Sequence, residues 1–184
     1  GVQWLRDRMK FFKKAPETEK IIKSLKSNSD VYLVPAFTGL GAPYWDSNSR
    51  GVLSGLTRDT GPKEIIRATV ESVAYQTHDL FEAMKHDGLR PRLVKVDGGM
   101  VMNNWFSQFL SDVVNVGVLR PKVQETTALG AAFMAGLQIG VYKSLSDISK
   151  NWALDKKFSP KMKNRNRTKI LKGWSKAIKR TLIN

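Results

Sequence analysis

The chain has 184 residues, 41% hydrophobic and 26% charged, with no cysteine and a net charge of +15. Such a composition supports one full hydrophobic core with an appended helix, and it excludes disorder over most of the length, a disulfide framework and a thiolate metal site. No apolar stretch reaches the roughly 18 residues that a membrane-spanning helix needs and no charged-then-apolar leader opens the sequence, which with the missing cysteines fits a cytoplasmic protein.

The first residue is Gly1 rather than methionine, and Val2, Leu5, Met9 and Phe12 already share one helical face. A helix is therefore predicted from Val2 to about Lys14, and the chain is expected to be part of a longer protein. Pro16 interrupts it, and a second short helix around Ile21, Ile22 and Leu25 ends in the polar run Ser27 to Asp30. Val31, Tyr32, Leu33, Val34, Ala36 and Phe37 predict a buried strand in which Pro35 marks an edge position or a strand end. Gly39, Gly41 and Pro43 make residues 38–50 a loop, whose Tyr44 and Trp45 either line a pocket or, the favoured reading, plug a gap between elements. A short strand is expected from Gly51 to Leu56. Pro62 with Lys63-Glu64 then opens the longest helix, where Ile66, Val70, Val73, Thr77, Leu80, Phe81 and Met84 recur every three or four residues until Gly88 stops it.

Leu93, Val94 and Val96 predict a short buried strand, and Asp97, Gly98 and Gly99 then strip side chains from the place where the backbone turns. Asn103 or Asn104 caps the following helix, whose apolar face is Phe106, Phe109, Leu110, Val113 and Val114 and whose free amides would point back at the bend. Strand, glycine turn and helix N-terminus form a common nucleotide seat, although a glycine pair after a strand also serves as a plain tight turn. Val116, Val118 and Leu119 predict a further strand ended by Arg120-Pro121. After Glu125, Thr126 or Thr127 caps a helix crowded with Ala128, Gly130, Ala131, Ala132, Ala135 and Gly136, small enough to press on a strand, on a ligand or simply on its packing neighbours. From Asp155 onward eleven basic residues face one acidic residue, so most of the net charge lies in the tail. Ile170, Leu171, Trp174, Ile178 and Leu182 recur there at helical spacing, which predicts an amphipathic helix docked by its apolar stripe with its lysines mostly in solvent. Strands alternating with helices indicate an α/β domain.

His78 and His86 lie eight apart without a ligand pattern, so no metal site is predicted. Asp97 is a candidate base or holder of a magnesium-bound water, with fixing the turn the favoured role. Glu71 and Glu125 have no paired carboxylate in an obvious motif, and the phosphate-loop, nucleophile-elbow and zinc-helix patterns are absent. Pattern reading thus finds half of a nucleotide site and no catalytic residue.

Several blocks nevertheless carry a resemblance: Val2-Gln-Trp-Leu-Arg-Asp7, Val34 to Asp46, Ile66-Arg-Ala-Thr69, Ala74-Tyr-Gln-Thr77, Val96-Asp-Gly-Gly99 and Thr126 to Ala131, with Gly51 to Glu71 fitting a second signature. In that order they resemble the FGGY carbohydrate kinase family, and Thr38-Gly-Leu-Gly-Ala-Pro43 favours its glycerol-phosphorylating members. The resemblance implies a ribonuclease H-like, actin-like ATPase domain, the C-terminal half of a two-domain kinase truncated at its N-terminus. Residues 1–154 would be the nucleotide-side domain, incomplete, and residues 155–184 a basic tail. It further implies that Gln3, Gly98, Gly99 and Asn103 contact ATP or ADP, that Mg2+ accompanies the nucleotide, and that glycerol and the catalytic base belong to a half preceding Gly1. A homo-oligomer is implied for the whole protein, without nucleic acid. Phe158-Ser-Pro-Lys-Met-Lys163 departs from the segment by which bacterial relatives bind a phosphotransferase regulator. The alternatives are another FGGY sugar or polyol kinase and a basic module that binds polyanions.

Overall fold

The computed structural model describes residues 1–26, 30–123 and 126–182, so the polar run at 27–29 and Glu125 lie outside the described residues. Its pillar is the helix α3, Pro62–His86, which begins where the Gly61 amide donates to Glu64 Oε2 at 2.9 Å and carries Ile66, Val70, Ala74 and Tyr75 into the core. Around it stand two short helices, α1 (Val2–Asp7) and α2 (Glu17–Lys23), a two-stranded antiparallel ribbon of β1 (Tyr32–Val34) and β2 (Val52–Ser54), and α4 (Asn104–Val114). On the far side of α4 lies a second sheet in the order β3-β4-β5, with β3 (Leu93–Lys95) parallel to β4 (Gly117–Pro121) and β5 (Leu154–Phe158) antiparallel to it. The alternation of strands and helices bears out the α/β class.

Local chemistry shortens several predicted elements, among them the strand expected from Gly51 to Leu56, which spans Val52–Ser54. α1 stops at Asp7, not Lys14, because Lys10 turns into the left-handed region (φ 57°) and the Phe11 amide closes back on the Leu5 carbonyl at 3.1 Å, a helix-terminating loop that still buries Phe12. Pro35 ends β1 after three residues, as a residue without an amide proton must on a paired strand. β3 is likewise less buried than its composition predicts: it is a sheet edge, and Leu93 is exposed while Val118 of β4, which pairs with Val94, is sealed.

The tail is built into the same core. The helix α5 spans Thr126–Gln138, α6 spans Leu145–Ser149, and α7 spans Asn164–Thr181. α7 buries Trp174, Ala177 and Ile178, with the indole stacked on Tyr75 at 5.2 Å, and its Nε1 donates to Asp79 Oδ2 at 2.6 Å, the oxygen that also accepts from the Tyr44 hydroxyl at 2.8 Å. Tyr44 therefore plugs a gap, whereas Trp45 stands in solvent. α5 departs from the close packing its small residues predict: only Gly136 is buried, against the Tyr142 ring, and Met134, Ile139 and Val141 are exposed.

Candidate functional site

The sequence from β3 to α4 folds as an elbow. Gly98 sits at φ 84°, ψ 170°, a conformation essentially confined to glycine, and Gly99–Met102 follow as a single 3-10 turn that leads into α4. Asn103 is the helix cap, its Oδ1 accepting from the Phe106 amide at 2.9 Å. Asp97 is exposed and accepts from the Thr126 hydroxyl across the bend, which suits a turn-fixing carboxylate.

The turn's carbonyl side is held from below. Arg120 on β4 is buried, and its guanidinium donates to the Val101 carbonyl at 2.8 Å and the Asp155 carboxylate at 2.7 Å, while the Ser107 hydroxyl donates to the same Val101 carbonyl at 2.9 Å. With its acceptors so occupied, the turn leaves the Gly99 face outward: a Cβ built on Gly98 or Gly99 would meet nothing within 4 Å. Sequence reading placed Arg120 only at a strand end. A strand-terminal arginine carries no mark of the carbonyl it will reach 19 residues away.

The outward face is one wall of a cavity of about 380 Å³, lined by Gly99, Met100, Met102 and Asn103 on the turn, Val2, Gln3 and Arg6 on α1, Ala15, Pro16, Thr18 and Glu19 at α2, and Val70 on α3. Three of the four predicted site residues, Gln3, Gly99 and Asn103, thus meet in one place although a hundred residues separate the first from the last. Gly98 is absent from the lining and acts one residue away, by setting the bend. The α2 wall was invisible to pattern reading, since Thr18 and Glu19 look like ordinary helix-start residues.

Electrostatics modify one expectation. The first amides of α4 do not point freely at the bend: besides the Phe106 amide, taken by Asn103, the Asn104 amide donates to Glu19 Oε2 at 3.3 Å. Burial works against the ionised Glu19, but Lys23 at 2.5 Å and the α4 amides hold its carboxyl below the usual range, so a carboxylate already sits at the positive helix end. A ligand therefore meets bare turn backbone rather than a vacant helix N-terminus. Asn103 Nδ2 reaches Thr18 Oγ1 at 3.4 Å, leaving its second amide proton for a ligand. Arg6 is engaged by Asp7 at 2.7 and 3.0 Å.

Chemically, this is an apolar slot with an amide rim. Val2, Val70, Met100 and Met102 offer flat van der Waals surface, and Gln3, Asn103 and Glu19 offer donors and acceptors at its edge, which suits a heterocyclic base and its ribose. Among the described residues no three histidine, aspartate or glutamate side chains gather as a metal cage, and His78 and His86 take no part in the cavity.

The pattern of the FGGY family of carbohydrate kinases, C-terminal domain, matches residues 1–139. Glycerol kinase 1 of Pseudomonas aeruginosa is 53% identical over 180 residues, and a glycerol kinase of Clostridium botulinum is 51% identical over 182. Each alignment covers 98% of this chain and 36% of the relative, so the chain spans about a third of the length of the curated relatives it matches. Among solved structures, Plasmodium falciparum glycerol kinase with ADP superposes with a TM-score of 0.87 at 36% identity over 100% of this chain and 37% of that one. A ligand-bound xylulose kinase of Lactobacillus acidophilus, at 23% identity, TM-score 0.77 and 97% and 36% coverage, shares the fold.

Proposed function

The chain belongs to the FGGY family of carbohydrate kinases as a C-terminal domain with the actin-like ATPase fold of that family, and on that premise we propose that it is the nucleotide-binding part of a glycerol kinase. The reaction is transfer of the ATP γ-phosphoryl group to glycerol, giving sn-glycerol 3-phosphate and ADP. One observation carries the reading: Gln3, Gly99 and Asn103 converge on a single cavity whose floor is apolar and whose turn presents backbone without side chain. The relatives named glycerol kinase, and the neighbour solved with ADP, support the same assignment.

In this mechanism the chain binds and orients. Val70 and the two methionines line the slot that would take the base, Gly99 would let the backbone approach the nucleoside, and Gln3 and Asn103 would offer it amide protons. Arg120 and Ser107 keep the turn from drifting, which matters because phosphoryl transfer draws its rate from positioning and charge neutralisation. When bound, ATP would supply the transferable phosphoryl group and an accompanying Mg2+ would offset the charge of its phosphates. Among the described residues no group of three histidine, aspartate or glutamate side chains marks a place for the metal. The family resemblance puts the carboxylate base and the glycerol contacts in the part of the relatives that this chain does not span. A cytoplasmic location and a homo-oligomer of the whole protein complete the proposal. No helix among the described residues is long and apolar enough to cross a membrane.

The reading is tested by assaying ADP formation. The full-length protein is expected to form ADP in a glycerol-dependent way and the 184-residue chain alone to form none. Preference of the full-length protein for a pentulose would move the assignment to another FGGY kinase, and glycerol-dependent turnover by the isolated chain would contradict the division of labour.

A further inference from the structure

The basic tail lines a recess of its own, and the nucleotide reading makes no use of it. Along one face of α7, Lys169, Lys172, Lys176 and Arg180 follow each other at helical spacing and look across at Asp30, Tyr32 and the Ser54-Gly55 end of β2, enclosing about 390 Å³. Two glycines shape the floor. Gly173 lets α7 lie so close to β1 that an added Cβ would overlap the Tyr32 hydroxyl, and Gly55, at φ 82°, turns the chain against the Asp30 carbonyl where no side chain fits. No lining residue is shared with the cavity at Gly99.

The charge in this recess is far from balanced. Its one carboxylate, Asp30, lies 3.5 Å from Lys169, and among the described residues Lys172, Lys176 and Arg180 take part in no ion pair. Like charges gathered along a concave wall focus a positive field, at a cost in self-repulsion that a bound anion relieves. Lysine ammonium groups act as point charges toward phosphate, and Ser54 in the opposite lining is a further polar residue. A volume of this size belongs to small-ligand sites, which run about 300–1,000 Å³. A bilayer or a duplex would ask for cations spread over a broad face rather than gathered in one recess.

We propose that this recess binds a compact, multiply phosphorylated anion, at a site separate from the nucleotide cavity and independent of the kinase assignment. The test is calorimetric titration of the 184-residue chain with inorganic tripolyphosphate. Saturable binding is expected, weakened at least tenfold in the K172E/K176E variant, weakened little when the same charge is reversed elsewhere in K122E/K143E, and unchanged in Gly99→Asp. Both lysine pairs are exposed, and an unchanged thermal midpoint confirms that the variants fold. Four results would each overturn the proposal: wild-type affinity in K172E/K176E, equal loss in both lysine pairs, loss in Gly99→Asp alone, and binding of phosphatidylserine vesicles in place of tripolyphosphate.

Discussion

Gly98 and Gly99 look alike in sequence and do different physical work. Gly98 occupies a region of φ and ψ that costs other residues about 1–3 kcal/mol, so Gly98→Ala is expected to lower stability by that amount. Gly99 has an ordinary backbone and open space at its Cβ, so Gly99→Ala should leave the thermal midpoint where it is. A pair of unfolding curves checks both, and equal destabilisation would contradict the elbow geometry. Arg120 holds the same elbow from behind. Arg120→Ala leaves the Val101 carbonyl to Ser107 alone and the Asp155 carboxylate without its buried partner, which is expected to cost about 1–3 kcal/mol and to weaken ADP binding. The weakening should persist under conditions where the variant is fully folded; normal ADP affinity in the folded variant would show that Arg120 serves stability only. The glycine pair and the Asn103 cap were legible because bend and cap are local chemistry. Arg120 was not, since its partners come from the turn and from β5.

At the scale of elements, local pattern reaches as far as local energetics do. α3 was readable end to end because it pairs a continuous apolar stripe with a clear stop; of α7 only the stripe was readable, and it does dock, by Trp174, Ala177 and Ile178. α1 was overextended because Met9 and Phe12 keep helical spacing, while the chain reaches their positions through a left-handed residue at Lys10. The junction of α2 and α4 depends on contacts about 85 residues apart in sequence, Asn103 to Thr18 and the Asn104 amide to Glu19, which no periodicity announces. That junction has a pH signature. Glu19 is held below its ordinary value of 4.5, so its contribution is fully present above that pH and is lost as pH falls through the lower folded-state value. Stability of the wild type is therefore expected to drop more steeply below about pH 4.5 than that of Glu19→Gln, measured by denaturant unfolding across the acid range. Parallel curves would remove Glu19 from the junction's energetics.

The molecule as a whole joins two sheets through α3 and α4, and the candidate cavity opens where α1, α2 and the elbow meet that helical pair. The family was legible from ordered sequence blocks, whereas the cavity's far wall and the recess beside α7 needed the tertiary arrangement. We propose residues 1–154 as the nucleotide-side unit with residues 155–184 as its basic tail, even though the division falls within β5 and α7 shares the core. The central claim is that the Gly99 face is one wall of the nucleotide site. Its most direct test is the ADP dissociation constant of the full-length protein carrying Gly99→Asp, whose carboxylate would enter the cavity without disturbing any packed neighbour. At least tenfold weaker ADP binding at an unchanged thermal midpoint is the predicted result; wild-type affinity for ADP would contradict the account.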